Sequence, residues 1–428
     1  MPDSLEIRTR GALSGVVRPP GSKSLTNRAL ACAALASGHS NLSGVLDSVD
    51  TRVMVDSLKR LGIAVSCDWA SARLSLQGCS GRIPSSQAEL FVANSGTSAR
   101  FLAGMVSLGH GTYRIDGNER MRERPIRDLL EGLTQLGVQA ESVSGSGCPP
   151  IEVRGQGIPG GKAKVRGDVS SQFLSGLLLA APYANQPVEL EVEGTLVSPP
   201  YVWMTLAVME AFGLKSAVER SPAGWPRKIA VPQGGYQGRD YAIEPDASAA
   251  SYFFAAAAIS GGSITVAGLS RASLQGDIEF VSLLEQMGCR AEWGVDSVTV
   301  HGAPLVGIDV DMNAISDTVM TLAPVALFAK GPTTITNVGH IRHKETDRIH
   351  ALAVELRKLG AEVEERTDGL RITPADYHGA AIDTYDDHRM AMGLALAGLR
   401  IPHVVINDPG CTSKTYPHFF RDLESLAG

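Results

Sequence analysis

Eight basic side chains stand at or close to polar turns that lead into helices: Lys23, Arg28, Arg100, Arg124, Lys344, Arg348, Arg389 and Lys414. A helix start presents unpaired N–H groups and partial positive charge, so a cation added there suits a bound phosphate or carboxylate. The stretch Arg18-Pro-Pro-Gly-Ser-Lys-Ser-Leu-Thr-Asn-Arg28 is the first such place. A strand ends near Pro20, Gly21 and Ser22 turn the chain, and Ser24 or Thr26 is expected to cap the next helix. Lys344 and Arg348 are four apart, which on one helix gives them a common face, and Glu345 between them is a ready partner for Arg348. Arg124 closes the charged run Gly117-Asn-Glu-Arg-Met-Arg-Glu-Arg-Pro125, readable either as a solvated loop or as part of a site. His388, alone at a helix start, reads as a cap or core residue.

Other chemistries lack their signatures. No His, Cys, Asp and Glu cluster has metal-ligand spacing, so no metal site is expected. No G-x-S-x-G elbow is present, and Gly21-Ser-Lys-Ser24 lacks the second glycine of a phosphate-binding P-loop. The formal charge of −6 over 428 residues argues against nucleic acid as a partner. Six scattered cysteines without C-x-x-C spacing read as free thiols of a reducing compartment. The first ten residues have no apolar secretory core, and the longest apolar runs, 173–184 and 251–259, fall short of a membrane span. A soluble, cytoplasmic protein is the expectation.

The elements that must carry these residues recur. Amphipathic helices at 53–61, 126–136, 202–212, 278–287 and 349–359 each end at a glycine, a helix stop. Strands follow at 63–66, 138–142, 214–218, 289–293 and 361–365. Second hairpin strands follow at 73–77, 151–154, 228–231, 297–301 and 370–373. Upstream of each lies a polar turn and a helix apolar nearly all round, at 29–35, 101–108, 173–179, 252–259, 318–328 and 390–399, a pattern that predicts burial. A sixth unit stops at helix 419–426 with no hairpin, while strands 5–9 and 14–18 have no unit of their own. The predicted domains are therefore 20–240, and 1–19 joined to 241–428, with the helix starts opening on an inter-domain cleft.

The residues also carry a family likeness. Pro19-Pro-Gly-Ser-Lys-Ser24 with Arg28, Asn94-Ser-Gly-Thr97 with Arg100, and Arg122-Glu-Arg-Pro-Ile126 resemble the 5-enolpyruvylshikimate-3-phosphate (EPSP) synthase family. So do Lys344-Glu-Thr-Asp-Arg348, Tyr385-Asp-Asp-His-Arg-Met390 and Cys411-Thr-Ser-Lys-Thr415. The resemblance implies an α/β fold of two domains, each of three βαβαββ repeats with buried parallel helices (an inside-out α/β barrel type), and an active site in the cleft. It implies transfer of the enolpyruvyl group of phosphoenolpyruvate to the 5-hydroxyl of shikimate 3-phosphate by addition and elimination. No cofactor is implied, and glyphosate is the implied inhibitor. Two positions depart from the family's habits: His340 in place of a frequent Asn, and Phe101 in place of a frequent Pro.

By the same resemblance, Lys23 lies between both substrates, and Ser24 and Arg28 hold the shikimate carboxylate. Ser170, Ser171 and Ser198 take the 3-phosphate with Lys344 nearby, and Gln172 and Tyr201 line that pocket. Gly96, Arg124, Gln172 and Lys414 contact phosphoenolpyruvate, whose carboxylate Arg348 and Arg389 clamp. Asp317 is the implied base for the 5-hydroxyl, Glu345 the proton donor to the methylene, and Lys23 shares in the catalysis. Two rival readings stand beside this one. The enolpyruvyl transferase that acts on UDP-N-acetylglucosamine usually has a reactive cysteine in the loop at 117–125, and this chain has none there. A catalytically silent anion-binding homologue would have no need of Asp317 and Glu345.

Overall fold

The computed structural model describes residues 2–428. The chain falls into two compact units, one of residues 21–243 and one of residues 1–20 with 244–428. Both are built from small mixed sheets backed by helices.

In the 21–243 unit three four-stranded sheets share one plan. In the first, Asp240–Ala242 runs parallel to His39–Ser43, which pairs antiparallel with Arg73–Gln77, itself antiparallel to Val65–Asp68. Gln87–Phe91, His110–Asp116, Ile151–Gln156 and Gln139–Ser142 repeat the order. Gly161–Arg166, Val188–Glu193, Pro226–Val231 and Ala217–Arg220 do so again.

The other unit has two sheets of the same plan. In one, Ser14–Val17 lies parallel to Ser263–Ala267, followed by Ser297–His301 and Arg290–Trp293. In the other, Asp309–Asp311 lies parallel to Thr333–Thr336, followed by Gly369–Thr373 and Glu362–Arg366. Its third sheet is short of a hairpin: Ala381–Ile382 lies parallel to Val404–Asn407, and the antiparallel partner is Ser4–Ile7 from the other end of the chain.

Why the helices sort into buried and half-buried sets follows from composition. Lys23–Leu35, Gly96–Val106 and Ser171–Ala180 in one unit are buried along almost their whole length. Ala247–Ser260, Val319–Ala326 and His388–Ala395 are buried likewise in the other. Their Ala, Gly and Leu faces let backbones approach closely. A Cβ on Gly104 would sit 2.2 Å from the Gly176 carbonyl oxygen, and one on Gly176 would sit 2.5 Å from that of Arg100. The outer helices, such as Val49–Arg60 and Arg348–Lys358, bury one face only. They stop where expected: Gly62, Gly137, Gly213, Gly288 and Gly360 all take positive φ, between 83° and 113°.

Three sequence expectations are corrected. The first buried helix is capped by Ser22, whose Oγ accepts from Leu25 N, so Ser24 and Thr26 lie inside it and Lys23 is its first residue. Lys344 does not share a helix with Arg348: it ends the 3-10 turn Gly339–His343, and the helix begins at Arg348 with Asp347 as cap. The helix placed at 278–287 opens as a 3-10 turn, Gly276–Glu279, before Phe280–Gln286.

Gly176→Ala is expected to force the two buried helices apart. The overpacking cost is about 1–3 kcal/mol, to be read from the urea unfolding midpoint.

Candidate active site

In the 21–243 unit, the polar starts of the three buried helices carry the residues singled out from sequence. Lys23 Nζ, buried, lies 3.5 Å from Asp50 Oδ2 on the neighbouring helix. One turn on, Arg28 is 1% exposed. Its Nε donates to Thr205 Oγ1 at 2.8 Å, Nη1 to the Ser24 carbonyl, and Nη2 to Ser175 Oγ and the Tyr201 carbonyl. The guanidinium also lies over the rings of Phe101 (5.2 Å) and Tyr201 (5.8 Å). Every one of these partners is neutral. Burial accordingly pushes the Arg28 pKa down to about 10.

Arg124 reaches back to the second helix start, its Nη1 donating to Asn94 O (2.9 Å) and Oδ1 (3.0 Å). Gly96 opens that helix, and a Cβ there would lie 2.4 Å from Arg124 Nη2. Gln172 Nε2 donates to Thr97 Oγ1 at 3.3 Å, which ties the third helix start to the second. Ser170 caps the third helix by accepting from Gln172 N, and Ser171 is its buried first residue. Ser198 is buried in left-handed backbone (φ +48°), a conformation costing about 1–3 kcal/mol that persists only where its surroundings hold it.

The other unit assembles a denser charge cluster. Arg348, 1% exposed, donates from Nε and Nη2 to the two Asp387 oxygens (2.8 and 3.2 Å) and from Nη2 to Glu345 Oε2 (2.9 Å). Its Nη1 lies 3.3 Å from Asp317 Oδ1. The second Asp317 oxygen takes Arg389 Nη2 at 2.8 Å, and the second Glu345 oxygen takes Lys414 Nζ at 3.1 Å. Burial opposes the Arg348 charge, but the Asp387, Glu345 and Asp317 carboxylates outweigh it and raise its pKa. Asp387 caps the helix that starts at His388, and it is aimed by Tyr385 and Asp386, both in left-handed backbone. The turn that delivers Asp387 therefore holds two consecutive non-glycine residues in a conformation that a bulky side chain such as Tyr385 resists.

His340 is buried with Nε2 2.9 Å from Ser316 Oγ. Burial first and the Lys344 charge second push its pKa down to about 3, so it is neutral near pH 7. His388 is fully buried, in keeping with a core residue. Among the described residues no group of three His, Cys, Asp or Glu side chains is placed to hold a metal ion, and no helix is long and apolar enough to cross a membrane. All six cysteines are free thiols.

Thus each candidate site residue lies at one of two clusters, each within its own unit: Lys23, Ser24, Arg28, Gly96, Arg100 (which donates to the Gly96 carbonyl), Arg124, Ser170, Ser171, Gln172, Ser198 and Tyr201 in one, and Asp317, Lys344, Glu345, Arg348, Arg389 and Lys414 in the other. The sequence reasoning named Asp317 and Glu345 but missed two further acids that hold the cations. Asp50 and Asp387 are separated from Lys23 and Arg348 by 27 and 39 residues, too far for any spacing rule, although both fall in a helix start, which is where a search for buried carboxylates would begin.

Comparison with known proteins gives a consistent result. A model of the family described as EPSP synthase (3-phosphoshikimate 1-carboxyvinyltransferase) matches residues 7–423. The 3-phosphoshikimate 1-carboxyvinyltransferase of Trichormus variabilis is 47% identical over 418 residues, covering 97% of each chain. The chloroplastic enzyme of Arabidopsis thaliana is 48% identical over 433 residues, covering 97% of this chain and 82% of its own. In structure, the EPSP synthase of Acinetobacter baumannii superposes with a TM-score of 0.80 at 24% identity, over 99% of this chain and 100% of that one. The enolpyruvyl transferase NikO of Streptomyces tendae gives 0.76 at 20% identity, over 99% and 97%. The two structures speak for the fold, while the family model and the full-length relatives speak for descent: this chain belongs to the EPSP synthase family.

Proposed function

We propose that the two clusters act together on phosphoenolpyruvate and shikimate 3-phosphate, with each unit a three-repeat domain and the substrates bound in the cleft between them. The activity is that of the family: 3-phosphoshikimate 1-carboxyvinyl transfer in the shikimate pathway, which serves aromatic amino acid biosynthesis. A cytoplasmic monomer is the form proposed for it.

The observation that carries the assignment of roles is Arg28. A guanidinium this buried ordinarily has a carboxylate beside it, because an isolated charge in a dry interior is costly. Here hydroxyls, carbonyls and two rings hold it, so an anionic ligand supplies the missing counter-charge. The shikimate carboxylate is the proposed occupant, held by Arg28 and Ser24. Ser170, Ser171 and Ser198 bind the 3-phosphate with Lys344, and Gln172 and Tyr201 close the pocket. Gly96, Arg124 and Lys414 hold phosphoenolpyruvate at its phosphate, with Gln172 beside them.

The second cluster supplies the proton transfers. Arg348, Arg389 and Lys414 face Asp317, Glu345 and Asp387, three cations against three carboxylates. When the phosphoenolpyruvate carboxylate takes Arg348 and Arg389, and its phosphate takes Lys414, Asp317 and Glu345 lose cationic partners and bind protons more readily. That change suits both roles. Glu345 protonates the methylene carbon while the 5-hydroxyl oxygen attacks C2 and passes its proton to Asp317. The tetrahedral adduct then gives a methyl proton back and expels phosphate, and Lys23 offsets charge on the transferring groups.

Purified protein is expected to release phosphate from phosphoenolpyruvate only when shikimate 3-phosphate is present. Release driven by UDP-N-acetylglucosamine instead would overturn the substrate assignment. Glu345→Gln is expected to lower kcat by about 10²–10⁴-fold with little change in substrate dissociation constants. A kcat near wild type would reduce Glu345 to an ion-pair partner of Arg348 and Lys414. Arg28→Lys, which removes the planar fork but keeps the charge, is expected to raise KM for shikimate 3-phosphate more than KM for phosphoenolpyruvate. Equal changes in the two would remove Arg28 from the shikimate site.

A further inference from the structure

Behind Asp317 lies a second carboxylate to which none of the roles above is given. Asp277 is 3% exposed and sits on the 3-10 turn Gly276–Glu279, which packs against the 3-10 turn Asn313–Thr318 that carries Asp317. Its position is fixed twice. Ser248 Oγ, at the start of the buried helix Ala247–Ser260, donates a hydrogen bond to Asp277 Oδ2. Two residues earlier, the Gln275 side chain accepts from Ala247 N and donates to the Pro245 carbonyl (2.6 Å) and to Glu244 Oε1 (3.0 Å). A carboxylate clamped this firmly, in a turn that abuts the turn of the base, is placed to act through charge.

We propose that Asp277 is a positioning residue that sets the proton affinity of Asp317 from the side away from substrate. The inference rests on Asp317 being the base for the 5-hydroxyl. Burial first, and then the Asp317 charge, push the Asp277 pKa up to about 7; Ser248 and Arg389 pull it down, and Asp246 adds to the rise. Asp317 itself faces Arg348 and Arg389, with Asp277 and neutral His340 close by. Before substrate arrives the two cations favour ionised Asp317 and make it a weak base, and the charge of Asp277 acts in the same direction as their engagement by phosphoenolpyruvate. Below pH 7 Asp277 is protonated and adds nothing. Above pH 7 it ionises, and its negative charge beside Asp317 raises the affinity of Asp317 for the substrate proton. The deprotonation of the hydroxyl then becomes easier as pH rises through about 7.

The test is the pH dependence of kcat with both substrates saturating, for wild type, Asp277→Asn, Ser248→Ala and Asp317→Asn. Wild type is expected to show a rise centred near pH 7. In Asp277→Asn, which mimics the protonated acid in shape, that rise is expected to vanish, with a severalfold loss of kcat at pH 8. In Ser248→Ala, which keeps the acid and removes the hydrogen bond that favours its ionised form, the rise is expected to move to higher pH. Ser248→Ala also serves if Asp277→Asn does not fold. A wild-type profile with no rise near pH 7, or a rise that keeps its position in both variants, overturns the proposal, even if the melting temperature of Asp277→Asn falls. Asp317→Asn separates the two levels of inference. If it retains wild-type kcat, the assignment of the base fails. If it is inactive while the rise survives in Asp277→Asn and Ser248→Ala, only the role of Asp277 fails.

Discussion

A guanidinium at 1% exposure has to be neutralised where it stands, and around Arg348 three carboxylates do so. Asp387 holds the guanidinium edge through Nε and Nη2, Glu345 shares Nη2, and Asp317 approaches Nη1. These acids arrive from three separate turns, so the ion cluster fixes the turns relative to one another as well as the charges. Removing a single partner from such a network leaves a buried charge uncompensated, at about 3–5 kcal/mol. The backbone bears a share of the cost too. Tyr385 and Asp386 both hold positive φ in order to deliver Asp387 to the arginine.

The unit of residues 21–243 solves the opposite problem. Arg28 is equally buried but has hydroxyls, carbonyls and aromatic faces for company. One unit therefore stores balanced charge, and the other stores an unbalanced cation held by dipoles. The two differ in what an arriving anion does. At Arg28 it completes a site whose geometry is already made. At Arg348 and Arg389 it competes with carboxylates already in place, so binding there also changes the protonation of the groups left behind. In the function proposed above, recognition belongs to the first arrangement and proton transfer to the second.

Much of the fold was legible in the sequence because its signals are local. Helix-ending glycines, two-residue alternation in the hairpin strands and helices rich in alanine and leucine each report on a few consecutive residues. The hairpin strands Arg73–Gln77 and Ser297–His301 lie at the expected residues for that reason. Cap identity was harder to read, since Ser22, Ser24 and Thr26 are all competent caps and only the turn at Gly21 decides among them. The shared face assigned to Lys344 and Arg348 failed because Lys344 closes a 3-10 turn and Asp347 caps a new helix. The cationic half of the candidate site was legible as a set of basic residues at helix starts. Of its acidic half only Asp317 and Glu345 were legible, since Asp50, Asp277 and Asp387 meet their partners through tertiary packing alone.

The strand Ser4–Ile7 completes a sheet whose central strand, Val404–Asn407, lies about 400 residues further along the chain. At about 5–20 residues per second on the ribosome, that separation is roughly 20–80 s of synthesis. The unit of residues 21–243 is continuous in sequence and has all its strands long before then. It can fold as a unit while the chain is still growing, whereas the unit holding Arg348 must keep its first strands waiting. Ser14–Val17 finds Ser263–Ala267 partway through, and Ser4–Ile7 finds its partner last. The order of assembly is thus written into the connectivity: the unit holding Arg28 has all its strands early in translation, and the unit holding Arg348 is completed only when translation is nearly over.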